Sequence, residues 1–231
     1  MKTVGKTPAL RIASYNIRKT RGLDQRRDPG RIVSVINSLD ADVVALQEAD
    51  RRLGERPAAL SRELIEAETD FRVVPVAAND ASLGWHGNAV LVRGTVEARS
   101  VVRVELPGLE PRGAVRVDLQ NGLTVVATHL GLLRRSRRLQ LETITDAIDD
   151  ASHAVIAGDF NEWRMDRGLE ALSDRFDVLA PGHSFHASRP VAALDRFAHS
   201  RKVGIYQAGV DQSRLARRAS DHLPIWADLV M

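Results

Sequence analysis

The chain contains no cysteine. That excludes disulfides, thiolate zinc sites and a cysteine nucleophile. Aromatic residues make up only 4% of the 231 positions, which argues against a broad platform for stacking nucleobases. No apolar run reaches membrane-spanning length. The opening stretch has Lys2 and Lys6 but no apolar core of a signal peptide, so a cytoplasmic protein is expected. Net charge is also modest, at +3. A strongly basic, nucleic-acid-coating protein is therefore not indicated by composition alone. Length and a hydrophobic fraction of 44% fit one domain spanning residues 1–231.

What is present is a series of short apolar strands that end in polar residues. In "HAVIAGDFNEW" (153–163), four small apolar residues lead through Gly158 to Asp159 and Asn161. A turn explains Asp and Asn there equally well, since both are common in turns. The pattern recurs, however. "LRIASYNI" (10–17) delivers Asn16, "DVVALQE" (42–48) delivers Glu48, and "LTVVATH" (123–129) delivers His129. Asp195 lies within "AALDRFAHS", and Asp221 and His222 precede "PIWADLV". Polar strand ends gathered at one sheet edge are a usual place for a site.

Helices are expected after Asp28-Pro29, over 58–68, from Ser136 to about Asp150, and over 166–174. Asn121-Gly122 marks a hairpin between two strands. Many strands with few helices suggest packed sheets covered by helices.

Carboxylates and carboxamides without thiolates favour hard cations such as Mg²⁺ or Mn²⁺. A histidine beside such an ion can handle a proton or stabilise an oxyanion, and an Asp can hold its tautomer. His153 and His199 read as structural. His183 and His186 have metal-like spacing but no third ligand close in sequence. Basic residues cluster at Arg18–Arg27, at Arg134, Arg135, Arg137 and Arg138, and at Arg214–Arg218. Solvated surface explains each cluster, and loops serving an anionic substrate explain them together.

The ordered motifs "SYNI", "LQE", "THLGL", "AGDFNEW", "LDRF" and "SDHLP" resemble those of the endonuclease/exonuclease/phosphatase superfamily, from Ile12 to Leu229. "GNAVLVR", "EPRGAVRV" and "THLGLLRRSRRLQLE" are similar to a compact bacterial subgroup. The resemblance implies an α/β (α+β), DNase I-like four-layer sandwich: two mixed sheets packed together, with helices outside. It implies hydrolysis of phosphate esters with one or two Mg²⁺ or Mn²⁺ ions. Glu48 matches the principal metal ligand, Asn16 a residue supporting metal and phosphate, and Asp221 a further acid of the metal site. Asp159 and Asn161 match the pair that positions water and phosphate. His222 matches the catalytic histidine, oriented by Asp195. His129 matches a second histidine on the phosphate oxygens, and Arg112 a contact to substrate phosphate.

Two departures stand out. Arg18 occupies a position where DNA-repair members often carry an acid, and no acid partner for His129 is legible. A phosphodiesterase acting on nucleic acid, phospholipid or a small diester is expected. A phosphomonoesterase is the alternative, and a non-catalytic binding protein the reading from another class. The basic stretch 134–138 is expected to flank the site, and Phe160 to point into the core.

Overall fold

The structure is a computed structural model that describes residues 10–231. The stretch inspected for a targeting signal lies mostly outside the described residues. The chain runs β1 (Leu10–Asn16), α1 (Pro29–Ser38), β2 (Val43–Gln47), α2 (Arg62–Glu68), β3 (Phe71–Val73), β4 (Ala89–Arg93), β5 (Ala98–Leu106), β6 (Arg112–Leu119), β7 (Thr124–His129), α3 (Arg134–Ala147), β8 (Ala154–Asp159), β9 (Phe176–Leu179), β10 (Asp195–Ser200), β11 (Gly204–Val210), α4 (Ala216–Ala219) and β12 (Ile225–Val230). Two six-stranded sheets result, with orders β11-β12-β1-β2-β4-β3 and β5-β6-β7-β8-β10-β9. Both are mixed, and they form the sandwich that the motifs implied.

The sheets share one logic. In each, a central parallel pair is joined across a helix: β1 to β2 through α1, and β7 to β8 through α3. The remaining neighbours are antiparallel. Side chains alternate across a strand. Ile12, Val43, Ala45, Val125, Ala127, Val155 and Ala157 face inward and build the core between the sheets. Ala13, Tyr15, Val44 and Leu46 face outward, onto α1 and its surroundings. Val126, Ile156 and Phe160 face outward with Leu141 and Ile144 of α3. Phe160 is fully buried there, on the helix side of its sheet.

Parity also decides where the polar strand ends go. Asn16, His129 and Asp159 fall on the inward register of their strands. They meet in the gap between the sheets, at the carboxyl ends of the two parallel pairs.

Helix ends differ from the sequence pattern for identifiable reasons. Asp28 caps α1 through the Arg31 amide, with Pro29 at the first turn, as expected. Ser61 caps α2, so 58–60 stay outside the helix, with Ala59 N–H donating to the Ala49 carbonyl. α3 begins at Arg134, ahead of Ser136, because the Arg137 guanidinium donates to the carbonyls of Gly131 and Leu132. The helix expected over 166–174 is reduced to one 3-10 turn, Glu170–Leu172. Gly168 adopts φ 96°, beside the Glu162 carboxylate, and breaks it. No helix among the described residues is long and apolar enough to cross a membrane.

Gly158 is required by close approach. It pairs with Thr128 in the parallel β7–β8 ladder, and a Cβ there would sit 1.9 Å from the Thr128 carbonyl oxygen. Gly158→Ala is expected to lower stability by more than about 2 kcal/mol, since the neighbour is backbone and cannot yield. The midpoint of chemical denaturation measures this. An unchanged midpoint would show that the ladder is looser than described.

Candidate active site

The site is built around the Asp159 carboxylate, which is almost fully buried. Asn16 Nδ2 donates to its Oδ2 at 3.1 Å, crossing from one sheet to the other. The Asn161 amide donates to Oδ1 at 3.0 Å. His129, the register partner of Asp159, brings Nε2 to 3.4 Å of Oδ2. His222 brings its Nε2 to 3.7 Å of the same oxygen. Asp159 is thus the acid beside His129 that the sequence did not reveal.

His222 forms a dyad with Asp195. Its Nδ1 lies 2.8 Å from Asp195 Oδ2, and Ser184 Oγ donates to that oxygen at 2.5 Å. Phe185 closes one side of the imidazole, with ring centroids 4.9 Å apart. Asn161 has a left-handed backbone, φ 51°, and anchors its Nδ2 on the Leu130 carbonyl at 2.8 Å. Asn tolerates that conformation better than most residues. Ser220 Oγ donates to the Asn16 carbonyl and ties the "SDH" turn to β1.

Charge in this pocket is sharply divided. His222 is raised to about 10: burial opposes its charge, but Asp195 and Asp159 outweigh burial. It is therefore an imidazolium at neutral pH. His129 lies well below its ordinary value, through burial first and then the repulsion of Arg112 and His222, so it is neutral. Asp159 is raised, chiefly by burial, although His222 and its hydrogen-bond donors pull the other way.

Glu48 stands at the end of β2 with φ 54°. That left-handed kink interrupts the strand alternation. The side chain lines a cleft of about 140 Å³ together with His129 and Arg112. A non-glycine residue in this region carries a backbone cost of about 1–3 kcal/mol, a common feature of functional sites. The Glu48 carboxylate accepts a bond from the Lys19 ammonium and lies 4.0 Å from Arg52. Arg112 is held by Glu110 through Nε and Nη2.

The sequence-derived site residues mostly converge. Asn16, His129, Asp159, Asn161, Asp195 and His222 form one connected cluster, and Glu48 and Arg112 line the adjoining cleft. Asp221 is differently engaged: it pairs with Arg18 Nε at 3.1 Å. The arginine found in place of an acid at position 18 thus supplies the positive charge next to Asp221. Two of the four basic residues at 134–138 are neutralised on the surface, Arg134 by Glu170 and Arg138 by Glu142. A third, Arg137, is buried against Glu162. This stretch is helical and three of its four arginines are paired with glutamates outside it, so it offers no row of free cations. Lys19, Ser184, Phe185 and the Arg137–Glu162 pair escape sequence reasoning, because their partners lie far away in the chain.

Two groups of side chains are candidates for a metal. Asp159, Asp195 and His222 present ligand atoms within 4.8 Å of one another. A cation there would have to displace the proton that joins His222 to Asp195. Glu48 and Asn16 lie at the ends of the paired strands β2 and β1; the Asn16 oxygen accepts from the Arg18 amide, and Glu48 already attracts Lys19 and Arg52. That donor set suits a hard divalent ion better.

The family model described as "Endonuclease/Exonuclease/phosphatase family" matches residues 13–222. The chain is 29% identical over 162 residues to the uncharacterized protein YbhP of Escherichia coli (strain K12). That match takes in 63% of each, so the chain spans under two thirds of that relative's length. Among solved structures, an endonuclease/exonuclease/phosphatase from Beutenbergia cavernae DSM 12333 superposes with a TM-score of 0.74 at 24% identity, covering 96% of this chain and 71% of that one. A Bacteroides thetaiotaomicron mannosyl-6-phosphatase superposes with a TM-score of 0.74 at 17% identity, covering 96% and 100%.

The dyad makes a pH prediction. His222 is expected to keep its proton in NMR titration up to about pH 10, and to titrate much lower in Asp195→Asn. The stability this pair contributes is complete below the ordinary value of 6.5, and is lost as pH rises through about 10. A His222 that titrates near 6.5 in the wild type would break the proposed pairing.

Proposed function

Since the chain belongs to the endonuclease/exonuclease/phosphatase family, we propose that it is a divalent-metal-dependent hydrolase of phosphate esters, and a phosphodiesterase within that class. One observation carries this reading. A buried Asp159, fixed from both sheets, adjoins an imidazolium dyad and a cleft lined by Glu48, Lys19 and Arg112.

Glu48 and Asn16 would hold the ion, which would neutralise charge on the phosphoryl oxygens. The other roles belong to the protein's own groups. Asp159, raised by burial toward neutral pH, is suited to take the proton of the attacking water. Asn161 would orient that water, its side chain fixed by the Leu130 carbonyl. The His222 imidazolium, held by Asp195, donates hydrogen bonds to developing negative charge and has a proton to give the leaving oxygen. Neutral His129 would bond a phosphoryl oxygen. Arg112 keeps Nη1 free of hydrogen bonds among the described residues, and its anchored fork suits a phosphate.

A phosphomonoesterase is the second reading. It is favoured by the small volume of the cleft and its cationic lining, which fit a terminal phosphate.

Hydrolysis of bis-p-nitrophenyl phosphate and p-nitrophenyl phosphate with Mg²⁺ or Mn²⁺ separates the two. Faster diester turnover is expected, and no turnover of either ester with any divalent ion would reject the proposal. Glu48→Gln is expected to weaken Mn²⁺ binding roughly tenfold or more, read by calorimetry, because a carboxamide lacks the charge that a hard cation prefers. Unaltered affinity would remove Glu48 from the metal site. His222→Ala should cut kcat/KM roughly a hundredfold or more. Adding Asp195→Asn to it should cost little further, because groups acting as one unit are not additive. Fully additive losses would mean that Asp195 works apart from His222.

A further inference from the structure

The connections that carry the site residues continue into exposed apolar side chains. Leu132 and Leu133 follow His129, Trp163 and Met165 follow Asn161, and Leu109 lies between β5 and β6. Their exposures run from 59% to 91%.

These side chains belong to one ledge, because buried groups lash their loops together. Gln140 of α3 accepts from the Gly131 amide and donates to the Pro107 carbonyl, so 107–109 and 131–133 run alongside each other. Arg137 joins the Leu132 carbonyl to the Glu162 carboxylate, both at 2.6 Å. Arg196 holds the carbonyls of Glu162 and Arg164 on either side of Trp163. Trp163 packs edge-on against Phe185 at 5.9 Å, and Phe185 lies on His222. The ledge therefore starts at the dyad imidazole. Apolar side chains grouped this way on a protein surface mark an interaction site.

Charge narrows the partner. Arg135, Arg164 and Arg167 are exposed beside the ledge and make no ion pair among the described residues. The other wall of the site carries Lys19, Arg52, Arg56 and Arg112. A nucleic acid would call for stacking rings and a row of free cations along its backbone. The ledge instead has four aliphatic side chains and one indole, and three arginines of 134–138 are already paired. Aliphatic side chains and an indole framed by free arginines match the interface of an anionic bilayer.

We propose that this ledge docks on an anionic phospholipid surface, so that a headgroup phosphoester enters the cleft beside Glu48 and His129. The inference rests on the hydrolase reading for its chemistry, but docking is measurable without it.

The test is co-sedimentation of the full chain with phosphatidylglycerol/phosphatidylcholine vesicles, and with phosphatidylcholine alone. Binding is expected to the anionic vesicles and to be weak on the neutral ones. Leu132→Ser/Leu133→Ser should lower partitioning roughly tenfold or more, since each leucine withdrawn from lipid costs a tenfold factor or more. Arg135→Gln/Arg164→Gln/Arg167→Gln should remove the preference for phosphatidylglycerol. Both variants should hydrolyse soluble bis-p-nitrophenyl phosphate at the wild-type rate, which also shows that they fold. Wild type that ignores anionic vesicles would overturn the inference. So would a leucine variant that binds them as well as wild type. Salt-steep binding to single-stranded DNA, lost in the arginine variant and kept in the leucine variant, would reassign the face to nucleic acid. Vesicle binding without turnover of either p-nitrophenyl ester would uphold docking and reject the hydrolase reading alone.

Discussion

The contact on which the site depends is the hydrogen bond from Asn16 to Asp159. It spans the gap between two sheets whose shared core is apolar, beside the His222–Asp195 bond that also crosses it. A buried carboxylate carries a desolvation cost of several kcal/mol unless donors surround it. Here Asn16 reaches it from one sheet, while the Asn161 amide and His129 reach it from the other. His222 completes the ring from the turn before β12. Removing any one donor leaves the charge less compensated, so the fold and the site constrain each other.

That arrangement separates the protonation states of two histidines that approach the same Asp159 oxygen. His222 has Asp195 on one nitrogen and Asp159 near the other, and carries charge. His129 shares Asp159 but faces Arg112 and His222, and is neutral. Two imidazoles of opposite state around one carboxylate allow one group to accept a proton while another donates one. The division arises from which loops hold which acids, because the residue types are the same.

A second asymmetry runs across the mouth of the site. One wall is cationic, set by the left-handed turn at 18–20 and the loop 51–56. The other is apolar, set by the loops after β7 and β8. The buried Arg137–Glu162 pair makes the second wall rigid, at the expense of a surface cation. Burial takes the guanidinium out of water, and its bonds to the Leu132 carbonyl and the Glu162 carboxylate offset that cost.

Much was legible in the sequence. Short apolar runs that end in polar residues marked β1, β2, β7 and β8, and Phe160 was expected in the core; that it packs on the α3 side, while Asn16, His129 and Asp159 face the other sheet, came from the fold. Asp28-Pro29 and Asn121-Gly122 announced a helix start and a hairpin. The family motifs indicated the two-sheet sandwich and nominated the residues that converge. Local chemistry suffices for these features, since alternation, caps and tight turns act over a few residues. Pairings across long separations were decided by tertiary structure. Asp159 stands beside His129 because β7 and β8 are parallel and in register. Arg18 takes Asp221, and Lys19 takes Glu48, because a left-handed turn folds back over β2. Arg137 is drawn inside by a glutamate 25 residues away. A charge reads the same in sequence whether it is solvated or buried, and only packing determines which.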